Sequence, residues 1–193
     1  LEQARVYAQQ NLEAFPNDVD AIVTNAAGCG SGLHEYGLIL KGTSSEDRAN
    51  EFARQTCDVS VYLSRLGDLA PLPDSTAPKK VAYHDACHLA NAQGVRSEPR
   101  KLLMQIPGIT LLEIADGHLC CGSAGTYNID QPEIAASLGR QKVDHVVETG
   151  ADLVAMGNIG CMTQISNQLQ QRGVAMPVRH TMHVLRDAYA GRL

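Results

Sequence analysis

The sequence predicts an α/β fold of tandem, pseudo-repeated modules, with parallel strands joined by crossover helices and cysteines at the carboxyl ends of strands. Three observations predict it. Short β-branched runs alternate with segments of helical periodicity, the pattern of a parallel sheet with crossover helices. A stretch of the chain recurs: Asp20-Ala-Ile-Val-Thr-Asn-Ala-Ala-Gly-Cys29 aligns without gaps on Asp152-Leu-Val-Ala-Met-Gly-Asn-Ile-Gly-Cys161. Finally, Cys29, Cys87, Cys120, Cys121 and Cys161 all lie in short loops that follow predicted strands.

Residues 2–14 carry helical periodicity, and Asp20–Thr24 (DAIVT) is a β-branched run suited to a buried parallel strand. Gly28–Gly32 predicts a Gly-rich turn before a helix over Leu33–Leu40. A second helix is predicted from Glu46 to Leu66, capped by Ser44 or Ser45. Ala70–Lys80 holds three prolines and no periodicity, which predicts a linker at 71–79. Strand Lys80–His84, helix Glu98–Gln105, strand Ile109–Ile114 and a Gly-rich loop over Ala115–Asn128 follow. Pro132 belongs in the first turn of a long helix ending near Gly150. Strand Asp152–Met156, helix Ile159–Arg172, a short strand near Val178 and helix Met182–Tyr189 complete the chain.

The second repeat copy has in front of it a portion, carrying Cys87 and Cys120-Cys121, that the first copy lacks. The simplest division is residues 1–70 as the rear half of a first module, 71–79 as linker and 80–193 as a complete second module. The opening LEQARVYAQQ reads as mid-helix, so the expectation is a segment of a longer protein.

A hydrophobic fraction of 44% supports a real core, and with two Phe, six Tyr and no Trp that core must be aliphatic. The net charge of −5 and the lack of a Lys/Arg-rich stretch argue against nucleic acid or anionic membrane as the main partner. No apolar run approaches the roughly 18–20 residues that span a bilayer. The composition looks cytosolic, and its core needs no disulfide staples. Adjacent cysteines make strained bridges, so the thiols are expected to serve metal.

Cys87 lies in YHDACH, Cys120 and Cys121 in LCCGSAGTYN, and Cys161 in GNIGCMT. In an open parallel sheet the carboxyl ends of the strands share one edge, where ligands collect. Thiolate is the metal-binding form, and the start of the helix after Cys161 favours it. Gly117, Gly122, Gly125, Gly157 and Gly160 allow backbone N–H groups to approach the sulfurs, and such bonds tune a cluster. Four thiolates suit an iron–sulfur cluster or a tetrahedral zinc, and spacing alone leaves both open, although paired C-x2-C knuckles are absent. His84 and His88 flank Cys87 closely enough to donate hydrogen bonds to the centre or to ligate it. Cys57, in RQTCDVSVYL, is expected mid-helix and in the core. His118 is expected on the loop surface, and His145, His180 and His183 carry no assignable chemistry. Asp85 and Asp116 have no evident orienting partner for acid–base work. Gly122–Gly125 (GSAG) lacks the Lys-Ser/Thr of a phosphate loop and the Rossmann spacing.

At these residues the sequence resembles the cysteine-rich CCG-domain family, whose motif is C…CCG…C-x-x-C. Its members include the iron–sulfur subunit of glycolate oxidase (glycolate dehydrogenase), lactate-utilisation proteins, the anaerobic glycerol-3-phosphate dehydrogenase small subunit and a component of heterodisulfide reductase. YHDACHL, HLCCGSAGTYN, GNIGCMTQ and NAAGCGSGLHEYG are most similar to the C-terminal region of the glycolate oxidase subunit. The final motif Cys is replaced by Gln164 in one copy and Gly32 in the other, leaving four thiolates in the second module. The resemblance implies a [4Fe–4S] cluster on Cys87, Cys120, Cys121 and Cys161, with zinc as the lesser occupant. It implies that Cys29 belongs to an incomplete second site. It further implies an electron-transfer subunit without a catalytic base of its own, working with flavin-containing glycolate oxidase subunits in the cytoplasm or at the inner face of the membrane. A heterodisulfide reductase-like thiol/disulfide role and a structural zinc module are the competing expectations.

Overall fold

Val81, Ala82 and Tyr83 are all buried, and so are Leu153 to Met156, so these strands are covered on both faces. That burial is the signature of a parallel sheet between two helical layers. In the computed structural model, which describes residues 1–73 and 78–193, the predicted α/β class is observed. The predicted linker 71–79 falls, at residues 74–77, outside the described residues.

The larger sheet contains β3 (Lys79–Tyr83), β4 (Ile109–Glu113), β5 (Leu153–Met156) and β6 (Val178–His180), all parallel, in the order β4-β3-β5-β6. Alternate residues feed two cores. Val81, Tyr83, Leu153 and Ala155 pack with α6 (Ser97–Met104) and α10 (Thr181–Tyr189). Ala82, Val154 and Met156 pack with α8 (Pro132–Glu148) and α9 (Ile159–Gln171). The chain leaves β3 toward β4 and then returns to the other side of β3 for β5. The crevice between β3 and β5 is therefore the switch point, where α/β sheets place ligands.

The smaller sheet pairs β1 (Ile22–Thr24) with β2 (Thr56–Asp58) in parallel. Its core is built by α1 (Glu2–Ala14), α3 (Tyr36–Ile39) and α4 (Glu46–Gln55), through Ala8, Leu12, Tyr36 and Phe52. The internal repeat survives at the level of register. Ile22 pairs with Thr56 and Thr24 with Asp58, while the aligned Val154 pairs with Val178 and Met156 with His180. Asp58 and His180 are thus equivalent, and each caps the helix that follows: Asp58 accepts from the Ser60 amide and His180 from the Met182 amide.

Two local expectations are corrected. The helix predicted over Glu46–Leu66 is broken by β2 into α4 and α5 (Val59–Arg65), so Cys57 is a strand residue, though still buried. Thr56 Oγ1 closes α4 by donating to the Phe52 carbonyl at 2.8 Å, and Asp58 opens α5. All three β2 residues are buried, Thr56 and Asp58 included, because both polar side chains turn inward to local backbone bonds. Gly28–Gly32 is not a turn but lies within α2 (Ala27–His34). The reason is close packing: a Cβ on Gly30 would stand 2.7 Å from Thr24 Oγ1 and 2.8 Å from Gln93 Nε2. Among the described residues no helix is long and apolar enough to cross a membrane.

Candidate metal centre

The three neighbouring strands β4, β3 and β5 each deliver sulfur from the carboxyl end. Cys87 follows β3 and opens a single π-helical turn over His88–Ala92. Cys120 and Cys121 lie between β4 and α7 (Tyr127–Asp130), and Cys161 sits in the first turn of α9. The structure brings all four together. Cys87 stands in hydrogen-bonding reach of Cys120, Cys120 of Cys121, and Cys121 of Cys161. All are free thiols.

The loop between β4 and α7 is shaped for this. Gly122 has φ +89° and presses on α8: a Cβ there would lie 2.3 Å from the Ala135 carbonyl oxygen. Only glycine fits both conditions. Its amide donates to Cys120 Sγ at 3.3 Å. The Ser123 and His88 amides do the same for Cys121 and Cys87. Gly125 is also left-handed, φ +63°, but its Cβ direction is open space, so its role is the turn. Asp116 and Ala124 are non-glycine residues with positive φ in this loop, a backbone cost of the kind concentrated at functional sites.

The sulfurs divide into two kinds. Contact with Cys121 holds Cys120 down to about 2 and Cys161 down to about 5. Cys87 is driven well up, first by its bond to Cys120 and then by burial, and Cys121 likewise by Cys120, Cys161 and burial. Raised and lowered thiols thus alternate along the group, and binding a metal through all four sulfurs releases whatever protons they hold.

His84 follows β3 directly and is 1% exposed. Its amide donates to the Ala155 carbonyl at 2.9 Å, which fixes the residue over β5. Neither ring nitrogen makes a hydrogen bond of good geometry, although the ring stands in hydrogen-bonding reach of Cys161. An unpaired buried polar group costs about 1–3 kcal/mol. One ring nitrogen and the sulfurs of Cys121 and Cys161 all lie within 4.8 Å of one another. A buried imidazole beside converged sulfurs fits a thiolate-held metal group. His88 is half-buried, its Nδ1 3.6 Å from Cys87 Sγ, and it lines an open recess with Cys87, Asn91 and Ala92. Cys29 is exposed in the first turn of α2. His118 is exposed, as expected.

Four residues at the site had no role assigned from sequence. Asn158 Nδ2 donates to Cys161 Sγ at 3.4 Å, while its Oδ1 accepts from the Gly28 amide at 3.2 Å, which orients the side-chain amide. Its position before α9 signals a helix cap, yet its side chain makes no cap bond. Lys142 is 1% exposed, and its Nζ donates to the Asp116 carbonyl at 2.8 Å. Burial holds it below the ordinary lysine range, opposed by the charges of Cys121, Asp116, Asp85 and Cys120. Its signal was available: Ala135, Gly139, Lys142, Val143 and Val146 form the buried stripe of α8, with a lysine in it. Arg100 pairs with both Asp85 oxygens, at 2.8 and 2.7 Å, and with both Glu113 oxygens at 2.7 Å. Asp85 is therefore a structural anchor of the Cys87 loop, not half of an acid–base dyad. His145, to which no role was given, bonds the Ala115 carbonyl at 3.0 Å and braces the same loop from α8.

The repeat copies also meet here. The Ala27 amide donates to the Gly157 carbonyl at 3.1 Å, and His180 Nε2 lies 2.7 Å from the Asn25 carbonyl oxygen. Gln93 donates to the Ala27 carbonyl at 2.8 Å and Ser31 to the His88 carbonyl at 3.1 Å. Gly157 thus serves the junction between copies and not a sulfur.

Comparison with known proteins agrees with this geometry. The profile of the family described as "Cysteine-rich domain" (CCG) matches residues 81–166, which span all four converged cysteines. The chain is 38% identical over 189 residues to the "Probable glycolate oxidase iron-sulfur subunit" of Bacillus subtilis (strain 168), covering 94% of this chain and 42% of that protein. It is 32% identical over 193 residues to the "Glycolate oxidase iron-sulfur subunit" of Escherichia coli (strain K12), covering 97% of this chain and 45% of that protein. It is 31% identical over 186 residues to "Lactate utilization protein A" of Oceanobacillus iheyensis, covering 96% of this chain and 75% of that protein. The chain spans less than half of the two glycolate oxidase subunits and about three quarters of the lactate utilization protein. On the profile, the similarity and the converged motif together, this chain belongs to the cysteine-rich CCG-domain family.

Proposed function

We propose that this chain is part of the iron–sulfur, electron-transferring subunit of a flavin-linked 2-hydroxy-acid oxidoreductase, with glycolate or lactate as the substrate class. The observation that carries the reading is the meeting of Cys87, Cys120, Cys121 and Cys161 at the sheet's switch point. The names of the similar proteins support it. These four cysteines would hold a [4Fe–4S] cluster, which supplies one-electron exchange when bound. Gly122, Ser123 and His88 amides and Asn158 offer hydrogen bonds to the sulfurs, and Lys142 places a buried cation beside them. No residue here is assigned to proton abstraction; the substrate would be oxidised on a flavin-containing partner subunit.

Residues 1–70 would be the rear half of a first module and 80–193 a complete second one, a division supported by the shared register of the two sheets. Cys29 would then be a ligand of the first module's own site. The protein would work in the cytoplasm, or at the inner membrane face through its partners. The grouping of His84 with Cys121 and Cys161 also favours a second reading, a structural zinc site. Iron and acid-labile sulfide analysis of anaerobically prepared protein separates the two: the electron-transfer reading expects both, and zinc without sulfide contradicts it. In cells lacking the native protein, the intact subunit should restore glycolate- or lactate-dependent dye reduction, and its Cys121→Ser form should not.

A further inference from the structure

We propose that His84 is a direct nitrogen ligand of the metal centre, an imidazole donor beside the sulfurs of Cys121 and Cys161. This deepens the reading above and takes from it only that a metal centre forms at these sulfurs.

Four observations converge. His84 is 1% exposed, so bulk solvent does not reach its ring. Neither ring nitrogen makes a hydrogen bond of good geometry, and the group the ring stands in reach of is the Cys161 sulfur, itself a metal-binding donor. One ligating nitrogen lies within 4.8 Å of both the Cys121 and Cys161 sulfurs. Nitrogen and sulfur donors on one tetrahedral ion at about 2.0–2.3 Å stand roughly 3.6 Å apart, so the gap closes with a shift of up to about an ångström. The backbone at His84 is held by its bond to Ala155 on β5, and Cys161 is held by Asn158, so the donors are positioned in advance.

The nearby alternatives are committed elsewhere. Gln164, one helical turn beyond Cys161, donates its side-chain amide to the Ala135 carbonyl at 3.1 Å. His88 turns to Cys87 at the open recess. Among the described residues, His84 with Cys121 and Cys161 is the group of potential ligands that meets on the buried side. An imidazole in place of a further thiolate adds no negative charge, and histidine ligation raises a cluster's potential.

The test uses chain labelled with 15N only at histidine, prepared anaerobically and reduced with dithionite. Pulsed hyperfine spectroscopy should show the strong nitrogen coupling of a bound imidazole. His88→Gln should keep that coupling. His84→Cys, which restores a donor at the same place, should keep the cluster, lose the coupling and lower the midpoint potential. A wild-type spectrum without strong nitrogen coupling, or one that survives His84→Cys, overturns the proposal. Should no iron be incorporated, the iron–sulfur reading fails by itself, and cobalt(II) decides the ligand. Cobalt-loaded wild type should then show a hyperfine-shifted imidazole N–H resonance that is absent from His84→Cys. An all-sulfur cobalt spectrum, or no cobalt binding at all, overturns the proposal.

Discussion

Lys142 is the side chain whose burial is hardest to justify by packing. An ammonium in the apolar stripe of α8 is unfavourable unless its charge is answered, and the answering groups are the Asp116 carbonyl and the sulfurs of Cys121 and Cys120. A cation beside a redox centre stabilises the reduced, more negative state. Lys142→Met should therefore lower the cluster's midpoint potential, by on the order of 50–100 mV for a charge several ångströms away at an effective dielectric of about 20. Lys142→Arg should keep it near the wild-type value. Redox titration followed by EPR measures both, and an unshifted potential in Lys142→Met would show that the charge is screened from the sulfurs. Arg100 acts on geometry. Its fork ties the Cys87 loop (Asp85) to β4 (Glu113) and lies 4.7 Å over the Tyr83 ring. With Arg100 and Asp85 side chains 18% and 11% exposed, Arg100→Ala should cost about 2–4 kcal/mol in urea unfolding. Arg100→Lys should recover little, because a point charge cannot make the paired bonds. A loss below about 0.5 kcal/mol in Arg100→Ala would place the network among weak surface pairs.

The junction of the two repeat copies makes His180 pH-sensitive. Its Nδ1 accepts from the Met182 amide at the start of α10, so its Nε2 must carry the proton offered to the Asn25 carbonyl. The neutral ring satisfies both bonds, and a second proton destroys the cap. Burial first, then His183, depress the folded-state pKa, while the Asn25 bond and Asp58 oppose this. A depressed pKa means the unfolded chain binds the proton more readily. The contribution is therefore complete above the unfolded value of about 6.5 and is lost as pH falls through that value toward the folded one. Thermal unfolding between pH 8 and 5 should show this decline, and His180→Asn, a good cap that does not titrate, should flatten it. A wild-type profile no steeper than that of His180→Asn would contradict the assignment. The same elements mark the bounds of legibility. Strand–helix alternation and the repeat were readable because burial and β-branching write them locally, as at Asp20–Thr24 and Asp152–Met156. The break at Thr56–Asp58 was not, because Thr and Asp also occur within helices, and only their bonds to the Phe52 carbonyl and Ser60 amide mark the strand. Gly28–Gly32 misled as a turn because close packing and chain reversal select the same residue.

Across the molecule, the fold gathers what the chain keeps far apart. Cys87, Cys120, Cys121 and Cys161 meet because β4, β3 and β5 are neighbours and parallel, with their carboxyl ends at one edge. Their convergence was foreseeable from the placement of each cysteine after a strand. The supporting contacts of Asn158 and Arg100 were not, since each depends on which element packs where, and for Lys142 the stripe of α8 signals burial but not its partner. The most direct test of the centre is EPR on dithionite-reduced, anaerobically prepared protein and two serine variants. Cys121→Ser should abolish the reduced-cluster signal, and Cys57→Ser, altering a buried thiol of the smaller sheet, should leave it intact. Equal behaviour of the two variants would contradict the assignment of these four sulfurs as the metal-holding set.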